Sequence, residues 1–209
     1  MSADLVCVVA DKDIEAAIGA LVSTRRQALG LADFTFEIHV HPERDAGCYH
    51  RGPELLRSLL GDSESKGLLM FDQAWQGCPH PTATETESAL RTKLAGLSAD
   101  VIVLEPEIES WVWSDSPHVE RVLGWAGSEL GLWQWMQERR LRVPAQAKPF
   151  DPKAAMEMAL REKRIPRSSA LYRELAEKVS IRRCKDAAFA RFRECLRTWF
   201  PGQALGGQE

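Results

Sequence analysis

The chain has 209 residues, of which 44% are hydrophobic and 27% charged, so it can bury one good-sized core and has the ordinary proportions of a soluble globular protein. No run approaches the ~20 apolar residues that cross a bilayer, the N-terminus lacks the basic-then-apolar pattern of a signal peptide, and five cysteines at irregular spacings suit free thiols, so a cytoplasmic protein with no membrane partner is expected. The net charge of -3 conceals a division: residues 1–138 sum to -12 and residues 139–199 to +10, an asymmetry that hints at nucleic-acid contact by the basic part or at neutralisation across an internal interface.

In chain order, Asp4 to Ala10 reads as a buried first strand, followed at once by Asp11, Lys12, Asp13 and Glu15. Ile14, Ile18, Leu21 and Val22 recur at helical spacing, predicting a helix that ends at Gly30. Phe34 to Val40 alternates apolar and polar residues like a second strand, and a loop with Pro42, Gly47 and Gly52 is expected to lead to Pro53 and a short helix ending near Gly61. Gly67 to Phe71 is a third strand, closed by Asp72. The glycine- and proline-containing loop Gln73 to Thr84 follows, then a capping box at Thr84-Glu-Thr-Glu87 and a helix with Leu90, Leu94 and Leu97 on its buried face. Asp100 to Leu104 is the fourth strand, and Glu105, Glu107 and Glu109 come directly after it.

Beyond Trp113 the pattern turns helical and basic. Ser116-Pro117 starts a helix over Val119, Val122 and Leu123, Leu130 to Met136 is another, and the tryptophans read as packing residues. Pro144 to Pro149 is a proline-marked connector. Asp151-Pro152 is a strong helix start, Ser168 or Ser169 begins a further helix, and the last helix sets Ala188, Phe189, Phe192, Leu196 and Trp199 on one face. Two short repeats, Cys48-Tyr-His50 and Cys78-Pro-His80, offer four ligands for a tetrahedral zinc, though without the Cys-x2-Cys spacing of specific zinc motifs.

Strands alternating with helices at this spacing give a mainly parallel four-stranded sheet flanked by helices, over residues 1–115, followed by a basic helical extension over 116–201 packed on it and a flexible tail over 202–209. Such a sheet brings Asp11, Asp72 and the glutamates after the fourth strand to one edge, where open α/β sheets place their ligand crevices.

An acid after the first strand, an acid after the third and Glu107-Ile-Glu-Ser-Trp111 after the fourth resemble the Toprim-like families related to RloB and to the OLD nucleases. Asp11-Lys-Asp-Ile-Glu15 occupies the place of their opening strand-end motif, and Asp72-Gln-Ala74 resembles their Asp-x-Asp pair. Cys184-Lys-Asp-Ala-Ala-Phe189 resembles the small-residue and Asp-x-x-Phe element near their end. Aspartate at 11 and alanine at 74 depart from the pattern.

The resemblance implies a Toprim-like fold and divalent-metal chemistry on nucleic-acid phosphodiesters with Mg²⁺ or Mn²⁺. It assigns Asp11, Asp72 and Glu107 as metal ligands, Glu107 or Glu109 as a further ligand or base, and Glu15 as their support. Lys12 would contact phosphate, and Arg161, Lys163, Arg164, Arg167, Arg182 and Arg183 would track the nucleic-acid backbone. The implied function is a nucleic-acid-processing component of a bacterial anti-phage defence system, with metal-dependent nuclease activity as its candidate chemistry, working beside other defence proteins. Its rival is a catalytically inactive Toprim-derived module that binds protein or nucleic acid. Neither reading fixes an oligomeric state.

Overall fold

Each apolar run becomes a strand: β1 (Leu5–Val9), β2 (Phe36–Val40), β3 (Lys66–Asp72) and β4 (Ala99–Leu104). The computed structural model describes residues 3–61, 63–114, 116–143 and 148–202. The helices are α1 (Lys12–Thr24), α2 (Arg26–Leu29), α3 (Arg44–Leu60), α4 (Ala83–Lys93), α5 (Glu109–Val112), α6 (Pro117–Val122), α7 (Leu132–Glu138), α8 (Pro152–Glu162), α9 (Ser169–Lys178) and α10 (Ala187–Trp199). All strand pairs are parallel, in the order β2-β1-β3-β4.

That order decides where a site can form. After β1 the chain moves outward to β2, and after β3 it moves the opposite way to β4. Right-handed crossovers then put the connecting helices on opposite faces. The carboxyl ends of β1 and β3 therefore flank the topological switch point, where the crossovers diverge and leave a crevice.

α3 packs on β1 and β3 and α4 on β4, while the other face carries α1, against which α9 packs. α10 lies against β4 and reaches the end of α2, where Arg197 Nε donates to Leu29 O at 2.6 Å. Arg25, in the break between α1 and α2, donates through Nη1 to the carbonyls of Ala176, Glu177 and Val179 at the end of α9. Residues before and after 115 enter one hydrophobic core, so the basic segment supplies a layer of the same core. Pro201 bridges to Leu31 and Gly202 N donates to Gly30 O at 3.1 Å. The rest of the expected tail, 203–209, and residues 144–147 of the connector lie outside the described residues.

The expected loop after β2 is instead most of a 17-residue helix, with Gly47, Gly52 and Pro53 inside α3. Both glycines serve close approach. A Cβ at Gly47 would lie 2.1 Å from His41 Nδ1 and one at Gly52 2.8 Å from Leu69 Cδ1. Gly47→Ala should therefore lower stability by about 1–3 kcal/mol, the usual cost of overpacking, measured by urea denaturation. α4 starts two residues earlier than its capping box suggests, because Thr82 Oγ1 accepts from Glu85 N. The preceding loop is tied down: Gln73 Nε2 donates to His80 O at 2.7 Å and Thr86 Oγ1 to Gln73 Oε1 at 2.8 Å.

The outer edge of β4 is occupied by side chains. Val103 N donates to Glu87 Oε1 at 2.9 Å, Arg191 Nη2 reaches both Glu87 Oε1 at 2.7 Å and Val103 O at 3.3 Å, and Arg91 Nη2 reaches Val101 O at 3.4 Å. Glu87 is 1% exposed. Charged side chains thus block this edge against pairing with another strand.

Candidate functional site at the switch point

β1 delivers Asp11 to the start of α1, where its Oδ1 accepts from Asp13 N and Ile14 N, both at 3.0 Å. This capping role commits one oxygen of Asp11. Asp72 closes β3 and is only 7% exposed. Its Oδ1 accepts from Ile108 N at 3.0 Å, and its own N–H donates to Asp45 Oδ1 at 2.9 Å. Asp45 belongs to the first turn of α3, and Glu107 follows β4 through a cis Glu105–Pro106 peptide. Together Asp11, Asp13, Asp45, Asp72 and Glu107 line a cleft of about 540 Å³, shared with Lys12, His41, Arg44, Lys153 and Arg167.

Burial pushes the Asp72 carboxyl well above the usual carboxylate range, and the negative charges of Asp45, Glu109, Asp11 and Glu107 push it further. Burial also raises Asp45, against the opposing bond from Asp72 N, and raises Asp13. Glu107 is raised by burial although Lys153 Nζ donates to it. Acids thus cluster in the cleft, and two of them are answered by cations: Arg167 pairs with Asp13 at 2.8 Å, and Lys153 pairs with Glu107.

His41 stands apart from this acidity. It is buried, donates its N–H to Val9 O at 2.8 Å and accepts from Glu43 N through Nδ1 at 3.1 Å. An Nδ1 lone pair engaged by a backbone donor places the ring proton on Nε2. Burial, followed by the charge of Arg51, lowers its pKa, and His41 lines the cleft with Nε2–H as its donor.

Asp11, Asp72 and Glu107 thus meet as the sequence suggests, whereas two other expected acids do not line the cleft. Glu15 pairs with Lys12 at 2.7 Å and faces a separate groove beside Phe36 and Ile38. Glu109, 1% exposed, lies beneath the cleft and accepts through Oε1 from Tyr172 Oη at 2.6 Å and Arg167 Nη2 at 2.9 Å. A carboxylate bound this way anchors α9 and Arg167. Its Oε2 is buried without a hydrogen-bond partner.

Of the expected nucleic-acid contacts, Lys12 and Arg167 line the cleft, and Arg161, Arg164 and Arg182 are exposed away from it. Lys163 is spent on packing, with Nζ donating to Ser128 Oγ at 2.7 Å and lying 4.1 Å from the Trp125 ring centroid. The Arg183 side chain lies outside the described residues. The cysteine and histidine repeats are not brought together: Cys48 is in the core and His50 on the surface, and His80 Nε2 shares a 2.9 Å hydrogen bond with Tyr49 Oη. Trp111 and Asp186, from the two motifs nearest the chain's fourth strand and its end, do meet, with Trp111 Nε1 donating to Asp186 Oδ1 at 3.0 Å and its ring edge-on to Phe189.

Sequence reasoning missed Asp45, His41, Arg44 and Lys153. Asp45 carries the same signal as the other acids, a carboxylate just past a strand, and was hidden by the expected loop. Among the described residues no group of three or more His, Cys, Asp or Glu side chains is arranged to hold a metal ion unaided. The carboxylates nonetheless fit Mg²⁺ or Mn²⁺, because Mg²⁺ takes one or two of them and keeps several waters.

Comparison with family models, curated proteins and solved structures finds no match to this chain. Among the described residues no helix is long and apolar enough to cross a membrane.

Proposed function

We propose that this chain processes nucleic acid at the switch-point cleft, using a divalent cation held by Asp72 and Asp45 with several of its waters retained. The observation that carries this reading is Asp72, a carboxylate more than nine-tenths buried among four other acids and lining the cleft. Such a group is costly unless a cation compensates it. When bound, the cation would neutralise charge on phosphoryl oxygens and lower the pKa of its water.

The protein's own groups supply the rest. Lys12 and Arg44 at the mouth suit a phosphate backbone, and the His41 Nε2–H can donate to a phosphoryl oxygen without competing for a proton. Arg167 holds Asp13 and Glu109 and so sets the rim on which the strand would rest. The wider assignment, a Toprim-like component of bacterial anti-phage defence acting with other proteins, rests on the sequence resemblance.

One feature favours a second reading. Glu107 is already neutralised by Lys153, and Glu109 by Arg167, as in a module that binds nucleic acid or protein without cutting. Labelled single- and double-stranded DNA and RNA, incubated with Mg²⁺ or Mn²⁺, separate the two. Metal-dependent cleavage that falls by at least ~100-fold in both Asp72→Asn and Asp45→Asn supports the nuclease. Binding with no cleavage under any metal selects the module.

A further inference from the structure

The two edges of the sheet differ. β4 spends its outward backbone groups on Glu87, Arg191 and Arg91, whereas β2, at the other end, has no strand beyond it among the described residues. Along β2, Leu5 N donates to Thr35 O at 3.0 Å and His41 N to Val9 O at 2.8 Å, and the register between them runs Leu5 to Phe36 through Val9 to Val40. In a parallel ladder the intervening Glu37 and His39 also bond to β1. Phe36, Ile38 and Val40 therefore turn their N–H and C=O groups outward, and among the described residues no side chain hydrogen-bonds to them.

The strand reads Phe36-Glu-Ile-His-Val40, which is self-complementary about Ile38. Placed antiparallel against a second copy, Ile38 opposes itself, Phe36 opposes Val40 and Glu37 opposes His39. The first two pairings are the hydrogen-bonded positions, because those are the residues whose backbone faces out. Glu37 and His39 fall at the closer, non-hydrogen-bonded positions. Their side chains are 57% and 39% exposed, and Glu37 Oε2 lies 3.4 Å from the buried His39 Nε2 within one chain, so a glutamate across the seam would meet the exposed side of the imidazole. Aromatic against β-branched and acid against histidine are both favourable cross-strand pairs.

We propose that two copies of this chain join through β2, antiparallel about a two-fold axis at Ile38, to form one continuous eight-stranded sheet. A seam this short buries less than a standard interface, so the dimer is concentration-dependent. The cleft is not part of the seam, and the proposal stands whatever the cleft does.

Sedimentation equilibrium of the whole chain over about 1 µM to 1 mM tests it. Wild type should dimerise within that range, and hydrogen exchange at the amides of Phe36, Ile38 and Val40 should slow as dimer forms. Ile38→Pro removes an outward N–H that the β1 ladder does not use and is compatible with an edge strand. It should weaken the dimer by at least ~100-fold. Glu37→Lys should weaken it about tenfold, and Glu37→Lys with His39→Glu should restore it, which guards against a misfolded proline variant. A chain that stays monomeric up to ~1 mM, or a dimer indifferent to both Ile38→Pro and the charge swap, overturns the proposal.

Discussion

Asp72→Asn should raise the melting temperature in metal-free buffer at neutral pH by a few degrees, the scale on which ~1 kcal/mol moves a chain of this size. Asparagine keeps the oxygen that accepts from Ile108 N and removes the charge that Asp45, Glu109, Asp11 and Glu107 oppose. The penalty has a definite pH window, because the folded-state pKa of Asp72 lies above its unfolded value. At low pH the acid is protonated in both states and costs nothing. As pH rises past the ordinary carboxylate range toward the raised folded value, the unfolded state ionises first and wild type loses stability, reaching the full penalty above that value. The Asn variant should lack this component. In wild type, millimolar Mg²⁺ or Mn²⁺ should recover the loss, since a ligand that binds only the folded state stabilises it by mass action. Calorimetry with and without metal checks both halves. An Asn variant less stable than wild type, together with no metal shift in wild type, would sink the cation reading.

Glu87→Leu is expected to be the most damaging single change away from the cleft, at about 3–5 kcal/mol. One carboxylate oxygen accepts from Val103 N and from Arg191, and the other from Arg91. Removing it leaves Val103 N without an acceptor and Arg191 half-buried without its counter-charge. Arg91→Ala is the control: its side chain is 44% exposed, so the loss should stay near ~1 kcal/mol or less. Urea denaturation that finds the two variants equally stable would show that Glu87 is an ordinary surface acid.

Much of the sheet was legible because strands covered on both faces must be continuously apolar, as Val101 to Leu104 and Leu68 to Phe71 are. The strand-end acids were legible for a related reason: a parallel sheet puts all its carboxyl ends on one side, so Asp11, Asp72 and Glu107 converge once the topology is known. Gly47 and Gly52 misled because glycine at a close contact and glycine in a loop look alike in sequence, and the contacts that separate them, His41 and Leu69, are tertiary. Asp45 was lost with that helix. Glu109 was misplaced because alternation along Glu105, Glu107 and Glu109 implies a shared direction, whereas a new helix begins at Glu109 and turns it beneath its neighbours. The pairings of Arg167 with Asp13 and Glu109 join residues 154 and 58 positions apart, a distance that no local pattern encodes.

The arrangement of α9 and α10 has a consequence for biosynthesis. The last strand is complete at Leu104, yet the helix lying against it ends at Trp199. At about 5–20 residues per second, a ribosome needs roughly 5–20 s more to supply that cover. Throughout this interval the face that carries α1 lacks its cover over β4, so commitment to the native state waits for α10, and a chain released early would be a client for chaperones or proteases.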